Sequence, residues 1–293
     1  LTRLPLTNKY ASISRADLLH LLQDAVAAHP AIKSYAKRIN QAVTKDDCVE
    51  LVCDDGHGMK ATALIAADGL NGFGRQFVTG IRLSAFHQSA RVAMRTEIDA
   101  GKLPAAFSQP TSNLWLGQGA HLVHYPMAGG DRINFAVTLS ARQAASDWQA
   151  QIFRANTMLE QLASCCFKWT KTPLLPAGSP SCWRRGRVAL AGDAAHVMPP
   201  HLAQGAGQAL QDAASLHYAL VHTASIDDAL AMYARRRTAA VSRVVRKADI
   251  SGKVMAFGGV RGRLRNAMIS VAGPSFLRSW LADVWAGDPS IAK

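Results

Sequence analysis

The order of apolar and polar positions divides the chain into stretches of different character. In "SISRADLLHLLQDAVAAH", residues 12–29, Leu18, Leu21, Leu22 and Val26 fall on one face at helical spacing. Ser14 can cap that helix, and Asp17 stands three residues on, as in a capping box. "CVELVCDDGHGMKATALIAADG", residues 48–69, predicts a hairpin with its turn at "DDGHG". Its second arm, "ATALIAADG", is apolar at successive positions, as a strand buried on both faces would be, and runs into Asp68 and Gly69.

From residue 86 to 140 the pattern shortens. "ARVAMRTEI", "SNLWLGQG", "AHLVHYPM" and "RINFAVTL" predict strands of an antiparallel sheet, with turn chemistry in "AGGD" at 128–131. "SDWQAQIFRANTMLEQLASCC" predicts a helix. After "LLPAGSPSCWRRG" a buried strand returns in "RVALAG", and helical patterns come after it. The expected class is α/β (α+β): a layered domain over 1–80, a β-rich domain over 81–175, and the first domain resumed over 176–293 with C-terminal helices. There are no internal repeats.

Composition narrows the class. Of 293 residues, 49% are hydrophobic, which marks a folded chain with ample core. No apolar run approaches the ~20 residues of a membrane span, and no signal-peptide core is evident. Cys48, Cys53, Cys165, Cys166 and Cys182 show no CxxC spacing, so reduced thiols in a cytoplasmic protein are expected, with no metal. The net charge is +13, and much of the excess lies in "ARRRTAAVSRVVRKADISGKVMAFGGVRGRLRN", residues 234–266. Alanines and valines alternate with its arginines at helical spacing, which reads as a solvated helix face. A single aromatic, Phe257, falls among these basic residues, short of the interleaving a single-strand binder would want, so no nucleic-acid partner is expected.

Candidate chemistry sits where apolar strands end. In an open α/β sheet, ligands bind beyond the carboxyl ends of strands, and Asp68 and Asp193 both hold that place. A helix beginning near Gln204 and Gly205 would present free N–H groups and a positive dipole end. Gly205 and Gly207 would let a ligand approach backbone closely. The spacing fits a flat, hydroxylated, electron-rich ligand. It fits an ordinary strand, turn and helix equally well.

"GDAAHVMPPHLAQGAGQALQDAASL" resembles the second flavin-binding motif of the FAD-dependent aromatic hydroxylases, the class A flavoprotein monooxygenases. The matching residues are Gly192, Asp193, Ala194, Ala195, His196, Pro200, Gln204, Gly205, Asp212 and Ala213. The resemblance implies that Asp193 binds the ribityl chain, and that Pro200 with the backbone of Gln204, Gly205 and Ala206 lies against the isoalloxazine ring. "ADGLNGFGR" is similar to a second motif, through Asp68, Gly69 and Arg75, with Gly72 where the family carries serine. The GxxGxG spacing of Gly69, Gly72 and Gly74 is not the dinucleotide fingerprint. "SRADLLHLL" places Arg15 where the family has an arginine near the flavin. "HLVHYPMAGGDRINFAV" and "WLADVWAGD" look most like the salicylate hydroxylase, 3-hydroxybenzoate 6-hydroxylase and 6-hydroxynicotinate 3-monooxygenase branch. On a strand His121, Val123 and Tyr125 share one face, and Leu122 and His124 the other. The resemblance makes His121 and Tyr125 the pair expected over a phenolic substrate.

No GxGxxG occurs in the chain. The family begins with a unit of that kind for the ADP half of FAD, so the resemblance covers roughly the later three-quarters of the family's length. The expected fold is an FAD-binding Rossmann-like domain, N-terminally truncated and interrupted by an antiparallel substrate domain. A sheet lacking its first strand would expose an edge. The implied activity is hydroxylation of a salicylate-like aromatic acid by FAD, NADH or NADPH, and O2 in a soluble, cytoplasmic enzyme, with no membrane partner and a homodimer as the expected assembly. Other readings remain open at this point: a quinone-pathway hydroxylase or epoxidase on the same fold, a non-catalytic remnant, or a basic interaction module over 234–266.

Overall fold

The computed structural model describes residues 11–81, 90–154, 156–165, 167–175 and 178–285. Cys166, the first ten positions and the last three of "WLADVWAGD" lie outside the described residues.

Helix α1 (Arg15–Ala28) opens as its cap predicts, with Ser14 Oγ accepting from Asp17 N at 3.0 Å. Its apolar face departs from expectation. No α1 residue is buried, and Leu21 and Leu22 are 59% and 43% exposed. Strands β1 (Ile39–Thr44), β2 (Val49–Cys53) and β3 (Gly58–Ala61) form an antiparallel meander. The hairpin is shorter than its apolar run. Ala61 pairs with Val49, the first residue of β2, so β2 has no residue left to pair with positions 62 onward. The chain leaves that sheet, and β4 (Leu64–Ala66) pairs in parallel with a strand from far along the sequence. Ile65 on β4 is 36% exposed, so this arm is not buried on both faces as its composition implies. Helix α2 (Phe73–Thr79) comes next, ending at Gly80 in a left-handed cap (φ 70°).

Five strands build the second sheet: β5 (Arg91–Asp99), β6 (Asn113–Leu116), β7 (His121–Met127), β8 (Arg132–Ser140) and, beyond three short helices, β9 (Thr170–Pro173). Its order is β6-β7-β8-β5-β9, antiparallel throughout. Strict alternation sends Val92, Met94, Leu122, Ile133, Phe135, Val137 and Leu139 to one face, where they are buried together. The expected helix at 146–166 divides. Ser140 caps α3 (Ala141–Ala144), which lies before that stretch; within it Asp147 caps α4 (Trp148–Phe153), and the Asn156 side chain accepts from Met158 N to begin α5 (Thr157–Glu160). An asparagine that can cap competes with helix continuation, so the run restarts there.

Strands β10 (Arg184–Arg185) and β11 (Val188–Leu190) complete the sheet order β10-β11-β4. Helices α6 (Gly205–His222), α7 (Ile226–Met255) and α8 (Gly259–Trp285) are the last elements among the described residues. Helix α8 is broken at Gly273 (φ 67°), just before Pro274. Helix α7 stops where the Arg265 guanidinium caps the carbonyls of Val254, Met255 and Phe257 at 2.9–3.3 Å.

Two compact units result. One holds the described residues of 1–34, 88–174 and 253–278, built on the five-stranded sheet. The other holds those of 35–87, 175–252 and 279–293, whose core joins Leu51, Val188, Ala189 and Leu190 to Leu230, Tyr233 and Val241 of α7. No helix among the described residues is long and apolar enough to cross a membrane.

Candidate functional site

Parallel pairing of β4 with β11 brings the carboxyl ends of two strands to one edge, and with them Asp68 and Asp193. The two aspartates then part ways. The Asp68 carboxylate turns back on its own loop, where Oδ2 accepts from Gly74 N at 2.7 Å and caps α2. Gly69 makes the turn at φ 79°. A Cβ at Gly72 would stand 2.1 Å from Asp68 Cγ, so the absence of a side chain there is what lets the carboxylate fold inward.

Asp193 does the opposite. The strand ends in a 3-10 turn, Gly192–Ala194, entered by Gly192 at φ 58°. Ala194, Ala195 and His196 are buried, whereas Asp193 is exposed and its carboxylate meets no hydrogen-bond donor among the described residues. Arg75, on α2, donates from Nη1 to the Ala194 carbonyl at 2.6 Å. Partial burial lowers the pKa of that guanidinium. The two sequence motifs are thus joined through Arg75.

Beyond the turn, Pro200 begins a second 3-10 turn, Pro200–Leu202, and is exposed. Ala203 takes a left-handed conformation (φ 52°), and α6 starts at Gly205 behind Gln204 with no side-chain cap. The first intrahelical bond runs from Gln208 N to Gln204 O at 2.8 Å, which leaves the amides of Gly205, Ala206 and Gly207 open. A Cβ at Gly205 would meet no atom within 4 Å. Open donors, a dipole end and free space beside a strand-end carboxylate make a cradle for a ligand that carries hydroxyls and developing negative charge.

A buried cluster supports this edge; the motif match names Gly192, His196 and Asp212 of it, and sequence reasoning missed Arg237 and Gln208. Asp212, on α6, accepts from Gly192 N (2.8 Å), His196 Nε2 (2.8 Å) and Arg237 Nε (2.6 Å). Asp212, His196 and Arg237 are all fully buried. The Arg237 fork also donates to the Gln208 carbonyl (3.2 Å) and to Gln208 Oε1 (2.8 Å). The expectation of a solvated arginine face holds for Arg235, Arg243 and Arg246 and fails for Arg237. A signal was available: Arg237 falls in register with Leu230, Tyr233, Val241 and Val244, the buried face of α7. His201 is a further residue of this edge. Its ring lies against α7, where a Cβ at Gly252 would come within 2.2 Å of Cδ2.

The remaining candidates lie in the antiparallel-sheet unit. Arg15 is exposed at the first position of α1. The Ser12 hydroxyl, just before that helix, donates to the Pro126 carbonyl, which brings the helix start to the Tyr125 end of β7. His121 is buried and Tyr125 half-buried. Cross-strand pairing sets His121 opposite Thr138 and Tyr125 opposite Asn134, so one sheet face carries four polar side chains around small Ala93 and Ala136. His124, on the other face, is 1% exposed and packs at 5.2–5.3 Å from the Phe107 and Phe135 rings. The Trp115 indole donates to its Nδ1 at 3.0 Å, and the Asn113 amide lies 3.1 Å from Nε2. Burial pushes its pKa down to about 4. His124 is therefore a core histidine.

Comparison with known proteins gives this geometry its context. Residues 7–248 match the family described as FAD binding domain. The 3-hydroxybenzoate 6-hydroxylase of Polaromonas naphthalenivorans is 30% identical over 274 residues, covering 88% of this chain and 67% of that protein. The 6-hydroxynicotinate 3-monooxygenase of Bordetella bronchiseptica is 29% identical over 252 residues, covering 81% and 64%. A salicylate hydroxylase solved as a substrate complex superposes with a TM-score of 0.74 at 25% identity, over 94% of this chain and 73% of that one. With its strand-end aspartate, bare helix and family match over most of its length, the chain belongs to the FAD-binding-domain family of class A flavin-dependent aromatic hydroxylases.

Proposed function

We propose that this protein hydroxylates a phenolic aromatic acid, using FAD, NADH or NADPH, and O2. The observation that carries the reading is the open edge at Asp193: an exposed, unengaged carboxylate beside three unbonded amides and a glycine with empty space around it. Those donors and that acceptor match the polyol chain of a flavin and a ring system that gains negative charge on reduction. FAD when bound supplies the redox chemistry that activates O2.

The chain's own residues supply binding, orientation and charge. Asp193 accepts hydrogen bonds from ribityl hydroxyls. The amides of Gly205, Ala206 and Gly207 stabilise negative charge on the reduced ring system. Pro200 and Gln204 flank that ring. Gly192, Asp68, Gly69 and Arg75 shape the loops around the cofactor, and Arg15 is the arginine that the family resemblance sets near the flavin. His121 and Tyr125 orient the substrate's hydroxyl and draw off its proton, which raises the nucleophilicity of the ring. The names of the relatives, hydroxylases of hydroxybenzoate and hydroxynicotinate, support an acidic, hydroxylated ring as the substrate class.

Two assays test the reading. FAD is titrated into the 293-residue chain, followed by flavin fluorescence, with Asp193→Ala as control; saturable binding weakened at least tenfold by the substitution is expected. NADH oxidation is then measured with salicylate, 3-hydroxybenzoate and 6-hydroxynicotinate, with the hydroxylated product identified by mass spectrometry. Equal FAD binding by both proteins, or oxidation that no aromatic acid stimulates, would overturn it.

A further inference from the structure

Both ends of the five-residue loop Gly192–His196 are tied to one carboxylate. Asp212 Oδ2 accepts from Gly192 N and from His196 Nε2, each at 2.8 Å. Its other oxygen accepts from Arg237 Nε at 2.6 Å. Inside the loop the Ala194 carbonyl is held by Arg75, and Ala194 and Ala195 are fully buried. Asp193 is the one loop side chain left exposed. From the same guanidinium, Nη2 reaches the Gln208 carbonyl at 3.2 Å and Gln208 Oε1 at 2.8 Å. Gln208 lies in the first turn of α6, directly after the open amides of Gly205–Gly207. One planar fork therefore fixes the loop and the helix start at once.

We infer that Arg237 is a positioning residue: through Asp212 and Gln208 it sets the Asp193 carboxylate relative to the open N-terminus of α6. The inference rests on the flavin reading for what the two groups hold. A fully buried ion pair is a poor source of stability, because removing both ions from water offsets much of their attraction. Its value here is geometric. Oδ2 of Asp212 cannot drift without releasing both loop ends, nor Oδ1 without releasing Arg237, and a guanidinium presents its donors in a fixed plane that lysine does not.

The test compares Arg237→Lys, which keeps the charge and loses the fork, with Asp212→Asn/Arg237→Met, which removes both charges together. Hydrogen exchange of the 186–200 segment is measured on the FAD-free 293-residue chain. The FAD dissociation constant is measured at a temperature where circular dichroism shows each protein folded. Exchange of the segment faster by about tenfold, with FAD weaker by about tenfold, is expected in both variants. Wild-type exchange and affinity in a folded variant would overturn the inference, as would a lower unfolding temperature with unchanged FAD affinity. If the double variant does not fold, Arg237→Lys carries both readouts. If the wild-type chain binds no FAD, the flavin reading fails, and the exchange data alone decide whether Arg237 holds the loop.

Discussion

Arg75 donates to the carbonyl of Ala194 at 2.6 Å, across 119 positions of sequence. This bond joins α2 to the turn after β11 and leaves Asp193, next to Ala194, as the exposed group. A half-buried charged donor to a buried carbonyl contributes about 1.5–3 kcal/mol. Arg75→Met is expected to lose that much stability in urea unfolding, and Arg75→Lys to recover part of it. A change below about 0.5 kcal/mol would mean that water replaces the contact without cost.

Gly72 and Asp68 make a second pair that can be separated experimentally. The backbone of Gly72 (φ −69°, ψ 154°) accepts any residue, yet its Cβ would stand 2.1 Å from Asp68 Cγ. Gly72→Ser should expel the carboxylate and break its bond to Gly74 N, at a cost of about 1 kcal/mol for a lost helix cap. Asp68→Ala should cost about the same, and the double variant no more than either single one. Costs that simply add in thermal or urea unfolding would show that the serine is accommodated without moving Asp68.

How much of the fold and site was legible in the sequence depends on where each signal lives. The strand-end aspartates, the start of α6 and the four strands β5–β8 could be read because each is written in consecutive residues: an apolar run, a turn, a glycine. Features that depend on partners were missed. The apolar run through Leu64 looks continuous, but pairing ends at Ala61 because β2 begins at Val49. The Leu21 and Leu22 face of α1 has the spacing of a packed helix, yet helical spacing does not guarantee a neighbour to bury it. Arg237 was hidden in "ARRR", where composition reads as a solvated run; only its register with Tyr233 and Val241 separates it from Arg235. The inward turn of Asp68 has no sequence signature beyond Gly72 itself.

Gly205 offers a way to separate ligand binding from folding. Its Cβ position is empty within 4 Å, and it occupies the first turn of an 18-residue helix. Gly205→Leu should leave the unfolding temperature unchanged or raise it slightly, since leucine is the better helix former by about 0.5–1 kcal/mol. The same side chain would stand in the space assigned to the flavin and should weaken FAD at least tenfold in a fluorescence titration. A variant both less stable and unchanged in FAD affinity would show that the space serves packing rather than a ligand.

His124 gives the fold a pH dependence whose direction is fixed. Its folded pKa lies at about 4 against 6.5 for a free histidine, because burial among Phe107, Trp115 and Phe135 penalises the charged ring. The unfolded chain thus takes up a proton at a higher pH than the native one does. Stability from keeping this ring uncharged is complete above pH 6.5 and is lost as pH falls from there toward 4. The full difference is about 3 kcal/mol, of which about 2 kcal/mol is gone by about pH 5. Urea unfolding at about pH 7.5 and about pH 5 should show that loss in the wild type. His124→Gln lacks the titrating group, so its own loss between the two values should be smaller by about the same 2 kcal/mol. Equal losses in the two proteins would place the acid sensitivity in the carboxylates instead.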